Sequence, residues 1–263
     1  MPDQARLDFA IDLAERAGEL GMKFFKDLEN LQIDSKGHQD LVSNGDREVE
    51  LFVRAEIAKA YPDDGIVGEE HARIAGTSGH VWVIDPIDGT ANFVRGIPQW
   101  CVIIACAKDG VTHTAAIREP ASGETFYARR GGGAFCNGRP ISVTKANSPA
   151  EGAIGVGFNN RTHADNILPV VTKIVQSGGI FFRNASGGLM LSYVAAGRLL
   201  GYAEEHMNAW DCLAAMLLIE EAGGKVEPFS KPDVLVDGTV ALAGGPGVFD
   251  WIRETSAGPF GLK

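Results

Sequence analysis

The sequence contains only four cysteines, and none of them has a spacing that suggests a metal or redox motif. Cys101, Cys106, Cys136 and Cys212 include no Cys-x-x-Cys pair. Isolated cysteines of this kind usually behave as small buried hydrophobic residues. We therefore expect four buried reduced thiols, with neither a disulfide framework nor a zinc site.

Long hydrophobic runs are also missing. No stretch approaches the roughly 20 apolar residues that a membrane-spanning helix needs. The N-terminal segment is acidic and amphipathic, with neither the apolar core nor the cleavage site of a signal peptide. We therefore expect a cytoplasmic protein with no membrane partner.

A surplus of basic residues is absent as well. The 24 Lys and Arg residues are outnumbered by 34 Asp and Glu residues, for a formal net charge of −10. This balance argues against nucleic acid as a partner, because nothing is left over to neutralise a phosphate backbone. A small phosphorylated substrate stays open, since bound divalent cations can supply positive charge locally.

The chain itself is long and ordinary in composition. Its 263 residues, 45% hydrophobic and 22% charged, suffice for one large domain or two small ones. Apolar residues at helical spacing predict helices over residues 4–28 and from Ser43 to about Ala60. Residues 101–128 alternate between strand-like runs and turns, which predicts a β-meander. From Ala153 onward strands alternate with helices, which is typical of a largely parallel sheet.

A polar stretch that contains Pro149, residues 144–152, separates these two patterns. It predicts an N-terminal α+β subdomain over residues 1–145 and a C-terminal α/β subdomain over residues 146–263. The glycine-rich segment Arg129–Gly133 is a candidate phosphate cradle, but it lacks the Lys-Ser/Thr of a P-loop. We interpret it as a hairpin turn.

The most informative stretch is an apolar run that ends in carboxylates. Val81–Ile84 has the length and type of a buried strand, and Asp85–Thr90 follows it. We expect a turn after this strand, in which Pro86 restricts the backbone and Gly89 allows it to change direction. Thr90 would then be the N-cap of a short helix. Four oxygen donors would converge there: the carboxylates of Asp85 and Asp88, the Ile87 carbonyl and the Thr90 hydroxyl. Such ligands suit Mg²⁺, Mn²⁺ or Ca²⁺; a polar turn that only caps the helix is the alternative.

Three further acids have both a structural and a functional explanation. Asp46 lies three residues after Ser43, which is the spacing of a capping box. Glu69 and a second glutamate follow a short predicted strand, and they could equally be a solvated pair. Asp211 falls in the first turn of a helix that Asn208 can cap, where an acid matches the helix dipole. These local patterns leave both explanations open.

The segment Asp85–Phe93 resembles the signature of the inositol monophosphatase family of metal-dependent, lithium-sensitive phosphatases. Other segments are similar to family motifs, namely Asp40–Asp46, Gly68–Glu70, Trp210–Ala214 and Glu221–Gly224. The resemblance implies a layered α/β/α/β/α sandwich of the inositol monophosphatase and fructose-1,6-bisphosphatase type, within the α+β and α/β classes. It also implies Mg²⁺-dependent hydrolysis of a small-molecule phosphate monoester and, commonly, a homodimer.

The resemblance carries a role for each matched residue. It implies two or three Mg²⁺ ions per subunit, with Mn²⁺ as a substitute. The implied metal ligands are Glu69, Asp85, the Ile87 carbonyl, Asp88 and Asp211. The implied catalytic residues are Thr90 and Asp46, which orient the attacking water, together with Glu69 and Lys36, the latter acting electrostatically. The implied substrate contacts are Asp88, Gly89, Thr90, Glu204, Ser186 and His206.

The motifs are less specific for the substrate than for the family. Glu204 matches a position at which inositol phosphatases contact sugar hydroxyls, which favours a polyol phosphate, with inositol 1-phosphate as the expected substrate. Two segments and one residue depart from the common pattern. The segments are Ser186–Leu189, whose paired glycines resemble the histidinol-phosphate branch, and Glu205–Asn208; the residue is Leu213, at a position where a small residue is usual. His206 in the second segment is either a substrate ligand or a solvated loop histidine. The alternatives are therefore a histidinol-phosphate phosphatase, another small-ester phosphatase of the family, or a degenerate member that only binds metal or a partner.

Overall fold

The computed structural model describes residues 2–37, 40–159, 161–229 and 233–262. The side chains of Pro2, Lys36 and Asp40 lie outside this description. The helices are α1 (Pro2–Phe25), α2 (Asn44–Ala60), α3 (Thr90–Phe93), α4 (Ala164–Gln176), α5 (Gly187–Ala195), α6 (Ala209–Glu221), α7 (Val234–Asp237) and α8 (Phe249–Ala257). The strands are β1 (Ile33–Gly37), β2 (Asp40–Ser43), β3 (Gly65–Gly68), β4 (His80–Asp88), β5 (Cys101–Lys108), β6 (Val111–Glu119), β7 (Glu124–Arg129), β8 (Ala134–Cys136), β9 (Arg139–Pro140), β10 (Ala153–Val156), β11 (Ile180–Phe182), β12 (Gly201–Met207), β13 (Lys225–Val226) and β14 (Thr239–Gly244).

Two large sheets alternate with three layers of helices. The first sheet has the order β3-β4-β5-β6-β7-β8-β9, and the second has the order β11-β10-β12-β14-β13. Helices α1 and α2 cover the outer face of the first sheet, and α4 and α8 cover the outer face of the second. Helices α5 and α6 lie between the sheets and contact both. The predicted α/β/α/β/α sandwich is therefore confirmed.

The apolar patterns of the helices explain where each one lies. On α1 the predicted stripe is correct, since Ala10, Ala14 and Ala17 are fully buried against the first sheet. Helix α6 is instead buried on nearly all sides. A helix that is apolar all round belongs in an interior layer, which is where α6 lies.

Strand β4 does not end where the sequence suggested. It continues through Pro86 to Asp88, with a register shift between Asp85 and Asp88, and Asp88 still pairs with Cys101. The predicted turn after Ile84 is therefore wrong. A bulge accommodates the missing N–H of proline, so the strand can bend without ending.

The second sheet is mixed rather than largely parallel. Strand β10 is parallel to β11 and β12, whereas β14 is antiparallel to β12 and β13. Strand β12 also runs past Glu204 to Met207, so this acid lies within the strand and not at its end. The connection predicted before α2 contains the hairpin β1–β2. Hydrophobic spacing does not encode strand direction, which explains the error in the sheet.

The glycine-rich segment after β7 is a turn, as expected. The backbone N–H groups of Gly131 and Gly133 donate to the Glu221 carboxylate at 2.7 and 2.8 Å. A carboxylate from α6 therefore takes the place that a phosphate would have in a cradle.

Two expectations from composition can also be compared with the structure. All four cysteines are free and buried, which confirms the prediction of buried thiols. Across the described ranges, no helix has both the length and the apolar character needed to cross a bilayer. The subdomain boundary near residue 145 stays a prediction.

Candidate active site

A cavity of about 690 Å³ opens where β4 ends and the loops of the second sheet face it. Among the residues that line it are Glu69, Asp85, Asp88, Thr90, Glu204 and Asp211. These come from both halves of the chain. Most of the predicted site residues thus share one cavity.

Three carboxylates form the tightest acidic group in this cavity. Oxygens of Glu69, Asp85 and Asp211 all lie within 4.8 Å of one another. Glu69 directly follows β3, Asp85 belongs to β4, and Asp211 lies in the first turn of α6. These carboxylates come together because β3 pairs with β4 and α6 packs against β4.

Burial and the charges of neighbouring acids make Asp85 and Asp211 hard to ionise without a cation. Burial raises the pKa of Asp85 well above its usual value, and the charges of Glu69 and Asp88 raise it further. Burial likewise raises the pKa of Asp211 to about 7, and the charge of Asp88 adds to this rise. Hard oxygen donors in a negative cluster suit a divalent cation such as Mg²⁺, so the residues fit the metal that the family motif implies.

Asp88 lies beside this group, with its carboxylate directed at the start of α5. Its Oδ2 accepts hydrogen bonds from the Ser186 hydroxyl at 2.6 Å and the Gly188 N–H at 2.7 Å. Its Oδ1 accepts a long bond of 3.3 Å from the Gly187 N–H. Burial raises the pKa of Asp88, while these donors oppose the rise. Asp88 therefore has one oxygen engaged by the protein, and the other is lightly bonded.

Asp46 combines the two explanations that its sequence position left open. Its Oδ2 accepts bonds from the Ser43 N–H at 2.8 Å and the Ser43 hydroxyl at 2.5 Å, which completes the predicted capping box of α2. Its Oδ1 lies 3.0 Å from the Thr90 hydroxyl, which also lies 3.1 Å from the Ile87 carbonyl oxygen. Burial raises the pKa of Asp46. The cap therefore holds Asp46 against Thr90.

The short helix α3 begins one residue earlier than expected. Its N-cap is Gly89, and Thr90 is the first helical residue, so the prediction that Thr90 is the N-cap is wrong. Gly89 has φ of 99°, and a Cβ there would lie 3.0 Å from the Gln99 carbonyl oxygen. Only glycine fits this backbone comfortably. The Thr90 hydroxyl is consequently free of capping and turns toward Asp46.

The predicted substrate contacts divide into two groups. Glu204 lines the cavity, and its carboxylate accepts bonds from Asn159 Nδ2 at 2.9 Å and from the Tyr202 hydroxyl. Ser186 is fully buried and donates a hydrogen bond to Asp88. It therefore orients that carboxylate and is not among the described residues that line the cavity. The His206 ring lies 3.2 Å from the Asp237 carbonyl oxygen and is not part of the cavity wall in the described residues. The backbone of Lys36 lies in β1, but its side chain lies outside the described part of the structure.

Several cavity residues were not found from the sequence. They are Phe158, Asn159, Arg161, Arg183 and Tyr202. Phe158 and Asn159 follow β10, and Arg183 follows β11, which is parallel to it. Residues just beyond the carboxyl ends of neighbouring parallel strands often form binding sites, so this position was a usable signal. Tyr202 gives no such signal, because it lies within a strand.

Comparison with known proteins adds a decisive observation. The family model described as the inositol monophosphatase family matches residues 3–252. The chain belongs to the inositol monophosphatase family. This membership confirms the resemblance drawn from the motifs and makes the protein a phosphoric monoester hydrolase whose substrate is a small phosphate ester.

Individual members of the family differ in name. The chain is 38% identical over 228 residues to the inositol-1-monophosphatase of Rhizobium meliloti, covering 85% of each sequence. It is 36% identical over 260 residues to a Pseudomonas aeruginosa protein named Nus factor SuhB, covering 96% of each. The crystal structure of the extragenic suppressor protein suhB from Bartonella henselae superposes with a TM-score of 0.88 at 32% identity. That match covers 93% of this chain and 95% of the other.

Proposed function

We propose that this family member is a Mg²⁺-dependent phosphatase of small polyol phosphates, with inositol 1-phosphate as its substrate. The observation that carries the proposal is the group of three converging carboxylates, the buried Asp85 and the half-buried Glu69 and Asp211, in a cavity that also contains Glu204. The relative in Rhizobium meliloti that bears the name inositol-1-monophosphatase supports the choice of substrate.

The proposed metal ligands follow from this arrangement. Glu69, Asp85 and the Ile87 carbonyl would hold one Mg²⁺, and Asp85, Asp88 and Asp211 would hold a second. The site would take two or three ions, with Mn²⁺ as a substitute. Bound divalent cations in such sites lower the pKa of water and neutralise charge on the transferred phosphoryl group and the leaving oxygen.

Thr90 and Asp46 would orient the attacking water. With the Thr90 hydroxyl donating to Asp46 Oδ1, the lone pairs of its oxygen would be available to accept a hydrogen from water. Asp46 is a stronger proton acceptor than an exposed aspartate because burial raises its pKa. The water oxygen then forms a bond to phosphorus while the ester P–O bond breaks, and the leaving alcohol takes up a proton from solvent.

The remaining contacts would select the substrate. The backbone N–H groups of Gly89 and Thr90 would donate to the phosphate. Glu204 would accept hydrogen bonds from polyol hydroxyls through the lone pairs that Asn159 and Tyr202 leave unused. Histidinol phosphate is the alternative substrate, suggested by the paired glycines Gly187 and Gly188.

The test is phosphate release from inositol 1-phosphate and histidinol phosphate at matched concentrations, with Mg²⁺ and with excess EDTA. Asp85→Asn should abolish release. Asp109→Asn is the matched control, because Asp109 is an exposed turn residue with φ of 51°, which asparagine tolerates. Release that survives EDTA and Asp85→Asn would refute the mechanism. Faster release from histidinol phosphate would refute the assignment of inositol 1-phosphate as the substrate.

The relative named Nus factor SuhB supports a second candidate function, in which the fold serves to bind a partner and not to hydrolyse an ester. Complete retention of the proposed metal ligands argues against a degenerate member. Absence of phosphate release from both esters, together with intact Mg²⁺ binding, would favour the binding role. We also propose a homodimer, which size-exclusion chromatography with light scattering would test.

A further inference from the structure

A buried ion pair on α2 lies next to the proposed metal ligand Glu69 and has no role in the mechanism above. Glu50 is fully buried, and Arg54 is 7% exposed. Arg54 Nε donates to Glu50 Oε1 at 2.7 Å across one helical turn. Two opposite charges in such a dry environment are retained only when further hydrogen bonds satisfy them.

The further hydrogen bonds recorded for the described residues go to the main chain just after Glu69, and the His71 ring Nδ1 also lies 3.3 Å from Glu50 Oε1. Glu50 accepts from the N–H groups of Glu70 at 2.7 Å and His71 at 3.1 Å. Arg54 donates to the carbonyl oxygens of His71 at 2.9 Å and Ala72 at 3.0 Å. The pair thus holds both donors and acceptors of one short loop.

This loop begins at the residue after which β3 no longer pairs with β4. The ladder between β3 and β4 ends at the pair Gly68 and Ile84. A Cβ at Gly68 would lie 2.5 Å from Glu50 Oε1, so α2 and the end of β3 are in direct contact. The carboxylate of Glu69 projects from the next residue to within 4.8 Å of Asp85 and Asp211.

The Glu50–Arg54 pair lies on the same face of α2 as Asp46, the acid proposed to orient water. Asp46, Glu50 and Arg54 are spaced four residues apart, so they share one face of the helix. That face is buried at all three positions. One rigid helix therefore contacts Thr90 through Asp46 and the Glu69 loop through Glu50 and Arg54.

From these contacts we infer that Glu50 and Arg54 are positioning residues that set the affinity of the site for Mg²⁺ by fixing the backbone from which Glu69 projects. The inference rests on the proposed function of Glu69 as a metal ligand. The partners that orient a metal ligand typically change metal affinity or activity by about 10- to 100-fold when they are removed.

The experiment compares Glu50→Gln with a control substitution, Asp64→Asn. Glu50 contacts the chain after the C-terminal end of β3, and Asp64 lies just before its N-terminal end. Glu50→Gln keeps the shape of the side chain, but the new NH₂ group must face a donor, either the Glu70 N–H or Arg54. Asp64 precedes β3, is 5% exposed, and accepts bonds from Arg6, Ser78 and Trp82. Asp64→Asn therefore breaks a comparable buried network at the end of β3 that is opposite to Glu69.

Mg²⁺ affinity is measured by calorimetric titration of each full-length variant, and stability is measured by thermal unfolding without metal. We expect Glu50→Gln to raise the Mg²⁺ dissociation constant by about 10- to 100-fold. Asp64→Asn should lower the melting temperature and leave the dissociation constant unchanged. At saturating Mg²⁺, the KM of Glu50→Gln for the substrate should stay close to that of the unaltered protein.

An unchanged Mg²⁺ dissociation constant in Glu50→Gln would overturn the inference and leave a purely structural ion pair. If that variant does not fold, Arg54→Lys replaces it, because lysine keeps the charge but cannot hold the two carbonyl oxygens and Glu50 in one plane. It should weaken Mg²⁺ binding in the same direction, and unchanged binding would again overturn the inference. If the unaltered chain does not bind Mg²⁺, the proposed function itself fails, which distinguishes the two results.

Discussion

At the scale of single residues, the Thr90 hydroxyl has the most exacting position in the cavity. It lies within hydrogen-bond distance of both Asp46, which is proposed to orient water, and the Ile87 carbonyl, which is proposed to bind Mg²⁺. Its single hydrogen can serve only one of these acceptors at a time. The direction of this hydroxyl therefore decides whether its oxygen can accept a proton from water.

Removal of this hydroxyl should affect the chemical step and not substrate binding. We expect Thr90→Ala to lower kcat by about 10²- to 10⁴-fold, the usual contribution of a positioned acid or base, with little change in KM. Thr90→Ser keeps the hydroxyl and should retain most of the activity. Steady-state kinetics on the three proteins measures the difference. Equal kcat values for Thr90→Ala and the unaltered protein would remove Thr90 from the mechanism.

Glu204 should affect recognition of the alcohol part of the substrate. We expect Glu204→Gln to raise KM for inositol 1-phosphate by about tenfold, which corresponds to the roughly 1.4 kcal/mol of one charge-assisted hydrogen bond. The KM for p-nitrophenyl phosphate, which has no polyol hydroxyls, should not change. The internal control is therefore the second substrate. An equal rise for both esters would show that Glu204 does not recognise the polyol.

At the scale of secondary-structure elements, the start of α5 shows why two adjacent glycines occupy positions 187 and 188. A Cβ at Gly188 would lie 2.5 Å from Ile103 Cδ1 and 2.9 Å from Asp88 Oδ2, and one at Gly187 would lie 2.4 Å from Met207 Cε. The paired glycines thus leave room for Met207 on β12 and Ile103 on β5, and they allow the N–H groups of α5 to approach Asp88.

This packing predicts a rescue between two elements. Gly188→Ala should destabilise the protein by about 1–3 kcal/mol, as overpacking of a core usually does. Ile103→Val removes the Cδ1 atom that the new methyl group would meet. The double variant should therefore recover part of the loss, since the contact with Asp88 remains, and chemical unfolding of the four proteins in a double-mutant cycle would measure the recovery. Additive losses would show that Ile103 is not the obstacle.

At the scale of the whole molecule, burial of acids in the cavity couples stability to pH. Burial raises the pKa of Glu204 from its usual 4.5 to about 7. The folded protein therefore keeps a proton that the unfolded chain releases near pH 4.5. Because the unfolded state binds fewer protons in this range, the free energy of unfolding decreases as pH rises from about 4.5 to 7.

Glu204→Gln removes this contribution, since glutamine does not ionise. The variant should be more stable than the unaltered protein by about 1–3 kcal/mol at pH 8, and this advantage should vanish near pH 4. Urea unfolding without metal at both values measures the change. A difference in stability that is the same at pH 4 and pH 8 would contradict the raised pKa. Gain of stability with loss of substrate recognition is the trade-off expected at a functional site.

The sequence by itself determined the family, the caps of α2 and α6, and the identity of the acids that surround the cavity. These features are local, because a cap, a helical stripe or a metal-binding motif is encoded within a few neighbouring residues. The prediction of buried thiols and of the turn after β7 also relied on such local patterns, and both were confirmed.

Only the tertiary structure decided which of these residues meet. It brought carboxylate oxygens of Glu69, Asp85 and Asp211 within 4.8 Å of one another. It also placed the Asp88 carboxylate against the N–H groups at the start of α5, and it placed the His206 ring beside the Asp237 carbonyl and not in the cavity wall. It also fixed the direction of β14 and added Arg161, Arg183 and the Glu50–Arg54 pair to the surroundings of the site. These outcomes depend on packing between elements that are distant along the chain, and side-chain spacing within one element carries no information about them.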